Sequence, residues 1–76
     1  MRRILIVDDQ PLNREQLRKV LQEDNYEIET VADGASALAV LSERSIHLVI
    51  TDLRMPGMSG LELLSRVRER KPSVGL

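Results

Sequence analysis

The sequence predicts an α/β fold in which a small parallel sheet is packed between helices. Residues 4–7 (ILIV) and 47–51 (HLVIT) are short apolar runs rich in β-branched side chains, as expected of parallel strands buried on both faces. Helical segments separate and follow the strands in the order βαβαβα, which implies right-handed crossovers. Placing the first strand at the centre gives the spatial order 2-1-3.

The first half of the chain contains two predicted strands joined by a helix. Pro11 suits the first turn of a helix that continues to about Asn25. Residues 26–31 form the second strand, and its charges at Glu27 and Glu29 suit a sheet edge. Four apolar residues of the helix form an approximate stripe that we expect to face the sheet: Leu12, Leu17, Val20 and Leu21.

The second half repeats the pattern. Asp33-Gly34 begins a helix over residues 35 to about 44, and residues 59–62 (SGLE) have the spacing of a capping box for a last helix over residues 60–70. Residues 73–76 are predicted to begin a fourth strand. The side chains expected to face inward are Ala37, Leu38 and Leu41 of the second helix, and Leu61, Leu64 and Val67 of the last.

The composition narrows the class of protein. The chain has 76 residues and no cysteine, so neither disulfides nor thiolate metal sites contribute, and a reducing compartment is indicated. Eleven basic against twelve acidic residues give a net charge of -1, which does not favour nucleic-acid binding by this segment. No apolar run approaches the roughly 20 residues of a membrane span. We therefore expect one small cytoplasmic domain that contacts neither nucleic acid nor membrane.

Three carboxylates are predicted to meet at one edge of the sheet. Asp8 and Asp9 end the first apolar run and Asp52 ends the third, so all three lie where open α/β sheets bind ligands. At roughly 4 Å and an effective dielectric near 20, each like-charge pair costs about 4 kcal/mol. A divalent cation with oxygen ligands relieves this repulsion, and Mg²⁺ is favoured over Ca²⁺. For Asp8 and Asp9 taken alone, helix capping is the simpler interpretation.

The same site could transfer a phosphoryl group. A bound cation offsets charge on the transferred group, and a carboxylate at that point can be the nucleophile. Asp52 is the stronger nucleophile candidate because it is a single residue at a strand end facing the crevice, whereas Asp8 and Asp9 are better suited to the metal. His47 begins the third strand on the far side, which favours a structural role over a phosphorelay role.

The motifs ILIVDD, ADG and ITDLRMPGMSGLELL resemble the receiver domain of two-component response regulators. The resemblance implies a flavodoxin-like, CheY-like three-layer fold with the same 2-1-3 order, so that order does not rest on the residues alone. It implies that Asp52 is the phosphoacceptor for a histidine kinase or phosphotransfer protein. It further implies Mg²⁺ ligands at Asp9, Asp52 and the backbone carbonyl of Arg54, with Asp8 acting through water or as a further ligand, and loop-shaping roles for Met55, Pro56 and Gly60.

The resemblance also implies that residues 1–76 are the N-terminal part of a receiver, truncated after the third βα unit. The family continues through a strand ending in Thr or Ser and another ending in Lys, which have no counterpart in these residues.

One interpretation of the function is a phosphoacceptor, not an enzyme, active in its full-length form. The alternative is a non-catalytic half-domain for dimerisation or docking. The open edge of the third strand predicts a homo-oligomer. A related metal-dependent phosphatase is disfavoured, because Arg54 stands where its second aspartate belongs.

Overall fold

A computed structural model describes residues 2–71 and 73–75 of the chain. Its elements follow the predicted order, and a parallel three-stranded sheet lies at its centre with the spatial order β2-β1-β3. The predicted fold class and strand order are therefore confirmed. The elements are β1 (Arg3–Val7), α1 (Pro11–Gln22), β2 (Glu27–Val31), α2 (Gly34–Glu43), β3 (Leu48–Thr51) and α3 (Gly60–Arg70).

The central strand β1 is the most buried element of the sheet. Its residues 4–7 are at most 2% exposed. Ile4 pairs with Ile28 of β2 on one side and with Leu48 of β3 on the other. A strand with a neighbour on each side and helices over both faces needs an uninterrupted apolar run, which is what ILIV supplies.

The two faces of the sheet are covered unequally. Because side chains alternate along a strand, Leu5 and Val7 share one face and Ile4 and Ile6 share the other. The first face carries the main core, to which α2 and α3 contribute. The members of this core are Leu5, Val7, Ala37, Leu41, Ile46, Val49, Met55, Leu63 and Val67. On the second face, helix α1 leaves clefts lined by Leu17 with Ile50, and by Leu21 with Ile4 and Leu48.

The prediction for the inward face of α1 was half wrong. Leu17 and Leu21 are half-buried, but Leu12 is 69% and Val20 63% exposed. At about 100° per residue, Leu12 lies roughly 140° around the helix from Leu17, so one sheet surface cannot bury both. The helix also ends at Gln22 rather than Asn25, which has a left-handed backbone with φ of 63°.

The inward face of α3 is rotated from the predicted one. Gly60, Leu63 and Val67 are buried, whereas Leu61 is 67% exposed and Leu64 is only half-buried. The rotation is set by Gly60, whose backbone packs directly on residues 52–53 and so fixes which side of the helix meets the sheet. For α2, the inward positions of Ala37, Leu38 and Leu41 are confirmed.

Both predicted helix caps are present. The Asp33 carboxylate accepts a hydrogen bond from the Ser36 N–H at 2.7 Å, and the Ser59 hydroxyl accepts one from the Glu62 N–H at 3.2 Å. These bonds satisfy N–H groups that a helix cannot pair internally. The Glu62 carboxylate pairs with Arg66 one turn on. Both caps therefore begin their helices where the sequence indicated.

The segment after α3 returns to the outer edge of β3. Gly75 bridges Leu48 in parallel: its N–H donates to the His47 carbonyl, and its carbonyl accepts from the Val49 N–H, both at 2.8 Å. The predicted fourth strand thus appears as a single bridge, and the predicted strand end at Leu76 lies outside the described residues. Within the described ranges, no helix has the length and apolar character of a bilayer span.

Candidate metal and phosphoacceptor site

Asp52 directly follows the last residue of β3 and is held by the sheet. Its N–H donates to the Val7 carbonyl at 3.0 Å, which extends the β1–β3 pairing by one residue. The Thr51 hydroxyl donates to the Asp52 carbonyl at 2.9 Å. With the backbone fixed from both sides and the side chain half-buried, the Asp52 carboxylate projects from a rigid strand end.

Asp8 and Asp9 lie at the end of the neighbouring strand. The Asp8 N–H donates to the Val31 carbonyl at 3.1 Å, and its carboxylate accepts from the Gln10 N–H at 3.0 Å. Asp8 is 7% exposed and Asp9 is half-buried. The bond from Gln10 forms a local turn before α1. The capping interpretation is not borne out for Asp8, because the N-cap of α1 is Gln10 and, among the described residues, no side chain caps that helix, and it does not account for Asp9.

The structure brings the predicted carboxylates together. One carboxylate oxygen each from Asp8, Asp9 and Asp52 lies within 4.8 Å of the other two. Three anions at this separation repel one another, and their desolvation on the sheet edge strengthens the repulsion. Their oxygens are hard ligands of the kind that Mg²⁺ and Ca²⁺ prefer. The residues present fit a divalent cation.

The loop from β3 to α3 borders the site. The Arg54 N–H points toward the Asp52 carboxylate at 3.4 Å, and the Gly60 N–H donates to the Leu53 carbonyl at 3.0 Å. Met55 is buried in the core, and Gly57 has a left-handed backbone with φ of +79°. The loop is thus held by hydrogen bonds at both ends. The role of the Arg54 carbonyl as a metal ligand stays a prediction.

A cleft of about 180 Å³ opens beside the carboxylates, between α1 and the ends of β1 and β3. Its polar lining comes from Asp8, Asp52, Thr51 and the Asn13 side chain. Sequence reasoning did not identify Asn13, because an amide on the first turn of a surface helix gives no distinct signal. The cleft provides access to Asp52 from the α1 side.

Arg14 was also missed. As a charged residue of a surface helix it gave no sign of a role at the site, but it is half-buried and its guanidinium Nη1 donates to the Asp8 carbonyl at 2.7 Å. A long side chain can turn back over its own helix end, which helical periodicity does not reveal. By contrast, His47 lies at the opposite end of β3, and its Nδ1 accepts the Arg3 N–H at 3.0 Å, in agreement with a structural role.

Comparison with known proteins identifies the family. The model of the response regulator receiver domain matches residues 4–76. The sensor histidine kinase RcsC of Salmonella typhimurium is 44% identical over 66 residues, which are 87% of this chain and 7% of that protein. The chain therefore spans a small part of this relative.

Solved receiver structures superpose on most of the chain. The response regulator TrrA of Thermotoga maritima, solved in complex with Mg²⁺–BeF, has a TM-score of 0.91 at 47% identity, over 95% of this chain and 63% of that one. The structure of the histidine kinase ThkA in complex with TrrA gives a TM-score of 0.92 at 46% identity, over 97% and 64%. The half-buried carboxylate cluster, the 2-1-3 sheet and these matches agree: the chain belongs to the response regulator receiver domain family of two-component systems.

Proposed function

We propose that this chain is a phosphoacceptor: Asp52 receives a phosphoryl group from a phosphohistidine, with Mg²⁺ bound at Asp8, Asp9 and Asp52. The single observation that supports it most is the convergence of these carboxylates within 4.8 Å at the ends of two rigid strands. On this proposal the chain is a stoichiometric acceptor rather than an enzyme. It acts in the cytoplasm, which rests on the cysteine-free composition.

The proposed step is a displacement at phosphorus. An Asp52 carboxylate oxygen forms the new O–P bond as the P–N bond to the donor imidazole breaks, and the imidazole nitrogen takes up a proton. Asp52 is suited to this role because hydrogen bonds hold its backbone: its N–H donates to the Val7 carbonyl, and its carbonyl accepts from the Thr51 hydroxyl. The attacking oxygen therefore needs little reorganisation. A bound Mg²⁺ would supply positive charge to the phosphoryl oxygens.

Asp9, Asp8 and the Arg54 carbonyl complete the proposed ligand set. Asp8 already uses one oxygen to accept the Gln10 N–H, so it is the ligand best suited to act through water. Asp9 has both oxygens available for the cation among the hydrogen bonds of residues 2–71 and 73–75. We therefore assign direct coordination to Asp9 and Asp52.

Exposed leucines around the site favour a protein as the phosphodonor. Leu12 lies in the first turn of α1, three residues after Asp9; Leu53 adjoins Asp52, and Leu61 is the second residue of α3. All three are more than half exposed. Apolar side chains grouped around a polar site are typical of a docking surface. The crystallised ThkA–TrrA complex shows that a relative binds a histidine kinase. We propose a histidine kinase or a phosphotransfer protein as the partner.

The lysine implied by the family resemblance is not supplied near Asp52 by the described residues. Lys19 lies in the last turn of α1 and Lys71 follows the end of α3. Both helices run antiparallel to the strands they follow, so both lysines lie toward the end of the sheet away from Asp52. We expect slow modification of Asp52 by small donors such as acetyl phosphate for this reason.

A non-catalytic docking or dimerisation module is the alternative. It is favoured by a cleft of about 280 Å³ at the opposite end of the sheet, with an apolar floor of Ile4, Leu21 and Leu48. The outer edge of β3 is bridged at Gly75 alone among the described residues. Such an edge can pair with a second copy of the chain, and we propose a homo-oligomer on this basis. Sedimentation equilibrium tests it, and a compact monomer at micromolar concentration would contradict it.

Intact-mass measurement after incubation with acetyl phosphate separates the two functions. The phosphoacceptor proposal predicts slow, Mg²⁺-dependent addition of one phosphoryl group, which Asp52→Asn abolishes and the control Asp33→Asn leaves intact. Modification that persists in Asp52→Asn would refute the assignment of the nucleophile. No modification by acetyl phosphate or by a phosphorylated kinase, in protein that binds Mg²⁺, would favour the docking module.

A further inference from the structure

The Arg14 side chain turns back from α1 onto the connection that carries Asp8 and Asp9. Its Nη1 donates to the Asp8 carbonyl oxygen at 2.7 Å, across six residues of sequence, and this bond is no part of the helix. The side chain is half-buried, so water competes weakly for the same carbonyl. A short bond from a charged donor is among the stronger hydrogen bonds of a protein.

This bond fixes more than one atom. The Asp8 carbonyl belongs to the peptide group that joins Asp8 to Asp9, and a peptide group is planar and rigid. Holding its oxygen therefore also fixes the direction of the Asp9 N–H and the position of the Asp9 Cα, from which the Asp9 carboxylate projects. The Asp8 carboxylate is held separately, by the Gln10 N–H at 3.0 Å.

The Arg14 guanidinium donates its hydrogen bond to a backbone carbonyl and not to a carboxylate, so the carboxylate oxygens stay available to a cation. Within residues 2–71 and 73–75, the ion pairs join other groups and none includes Arg14: Arg3 with Glu27, Arg44 with Glu29 and Arg66 with Glu62. An arginine that paired with Asp9 would occupy the oxygens that a metal needs. Arg14 instead holds the backbone of the β1–α1 connection through the Asp8 carbonyl.

We propose that Arg14 is a positioning residue for the divalent-cation site: it holds the Asp8–Asp9 peptide in the orientation that directs the Asp9 carboxylate toward Asp52 before the cation binds. The proposal rests on the proposed function, because it concerns the same Mg²⁺ site. It assigns Arg14 an action through Asp9, with no contact to the cation or to the phosphoryl group.

A positioning role and a purely electrostatic role for Arg14 predict opposite changes in Mg²⁺ affinity when its charge is removed. A positive charge near a cation site repels the cation, so removing the Arg14 charge should tighten Mg²⁺ binding if charge alone matters. If Arg14 orients a ligand, its removal should weaken binding, as the loss of groups that orient metal ligands typically does, by about tenfold or more. The sign of the change therefore identifies the role.

The test is a Mg²⁺ titration of the whole chain followed by amide chemical shifts. Arg14→Gln should raise the dissociation constant about tenfold. Arg14→Lys should lie between Arg14→Gln and the wild type, because an ammonium can donate one bond but lacks the planar fork. The matched control is Arg18→Gln, one turn along α1. It removes the same charge from a side chain whose Nε has no hydrogen-bond partner in the described part of the chain. Its affinity should equal or exceed that of the wild type.

A measurement without metal completes the test. The Asp9 amide shift should move in Arg14→Gln and stay in place in Arg18→Gln, because only the first frees the Asp8–Asp9 peptide. Unchanged or tighter Mg²⁺ binding by Arg14→Gln would overturn the proposal and leave the proposed function standing. A folded wild type that binds no Mg²⁺ would overturn both. If Arg14→Gln is unfolded, as shown by a loss of amide chemical-shift dispersion, Arg14→Lys provides the test. An Arg14→Lys variant with unchanged Mg²⁺ affinity and an unchanged Asp9 amide shift would overturn the proposal.

Discussion

Gly60 packs its α-carbon against the main chain of Asp52 so closely that no side chain fits between them. A Cβ built on Gly60 would collide with the Asp52 carbonyl oxygen and would lie 2.8 Å from the Leu53 Cα. The first residue of α3 is therefore in contact with the backbone of the proposed phosphoacceptor. This contact ties the helix to the site and sets the rotation of α3 on the sheet.

Gly60→Ala should destabilise the fold by about 1–3 kcal/mol or more, because the added methyl group meets backbone that cannot move aside cheaply. Gly34→Ala is the matched control. It also adds a methyl group at the start of a helix, but the nearest atom is the flexible Met58 Sδ at 2.8 Å. We expect Gly34→Ala to change the free energy of unfolding by less than about 1 kcal/mol. Equal losses in urea denaturation would contradict this interpretation of the contact.

Leu63 and Leu61 test which face of α3 is buried. Leu63 is fully buried, so Leu63→Ala should cost about 2–5 kcal/mol of unfolding free energy through lost burial and a residual cavity. Leu61 is mostly exposed, so Leu61→Ala should stay within about 0.5 kcal/mol of the wild type. Urea denaturation measures both. A larger loss for Leu61→Ala would restore the face that the sequence pattern indicated.

Asp33 should make stability depend on pH at the acidic end. The hydrogen bond from the Ser36 N–H to the carboxylate, together with the Ser36 side chain, lowers the pKa of Asp33 below its ordinary value of 3.8. Because the pKa of Asp33 is lower in the folded chain than in the unfolded chain, its ionised form stabilises the fold. This stabilisation is present at pH values above the unfolded-state pKa and is lost as the pH falls through the folded-state pKa. Asp33→Asn keeps a capping oxygen without the charge.

The advantage of the wild type over Asp33→Asn should therefore be present at neutral pH and should shrink below pH 3.8. Denaturation curves across that range measure it. Asp24→Asn, which removes an exposed carboxylate from the turn after α1, is the control for net charge. A wild-type advantage that grows as the pH falls would contradict the direction assigned to the Asp33 pKa.

The carboxylate cluster should lower stability when no cation is bound. Asp9→Asn removes one of three mutually repelling charges, so we expect it to raise the unfolding free energy in EDTA. The gain should be about 1 kcal/mol, below the unscreened pair energies, because Asp9 is only half-buried and water screens its charge. Added Mg²⁺ should stabilise the wild type and leave Asp9→Asn nearly unchanged, because binding to the folded state alone raises its stability. Thermal unfolding with and without Mg²⁺ measures both effects. A destabilised Asp9→Asn in EDTA would show that Asp9 has a structural partner.

Much of the site could be predicted from the sequence, because the relevant geometry is simple. Apolar runs that end in aspartate, in parallel strands, deliver their carboxylates to one edge. Together with the 2-1-3 order that the family resemblance implied, this placed Asp8, Asp9 and Asp52 close together, as the structure has them. The helix caps at Asp33 and Ser59 were also predictable, since a cap depends on residues only three positions apart.

The features that sequence reasoning missed depend on tertiary contacts. The exposed Leu12 and Leu61 fit an apolar helical pattern, but the pattern does not state how wide a face the sheet can cover. Arg14 returns to the Asp8 carbonyl by a side-chain conformation that periodicity does not encode. The close approach of Gly60 to Asp52 is likewise visible only when both backbones are placed.

A Mg²⁺ titration of the chain, monitored by amide chemical shifts, tests the proposed metal site directly. A site at the carboxylate cluster predicts perturbations centred on residues 8–9 and 52–54, where the carboxylates and the β3–α3 loop converge. It also predicts that Asp9→Asn abolishes this response. Asp33→Asn, which removes a carboxylate outside the cluster, should preserve it. Absence of a response at these residues in folded protein, or a response that survives Asp9→Asn, would contradict the claim that this cluster is the metal site of a phosphoacceptor.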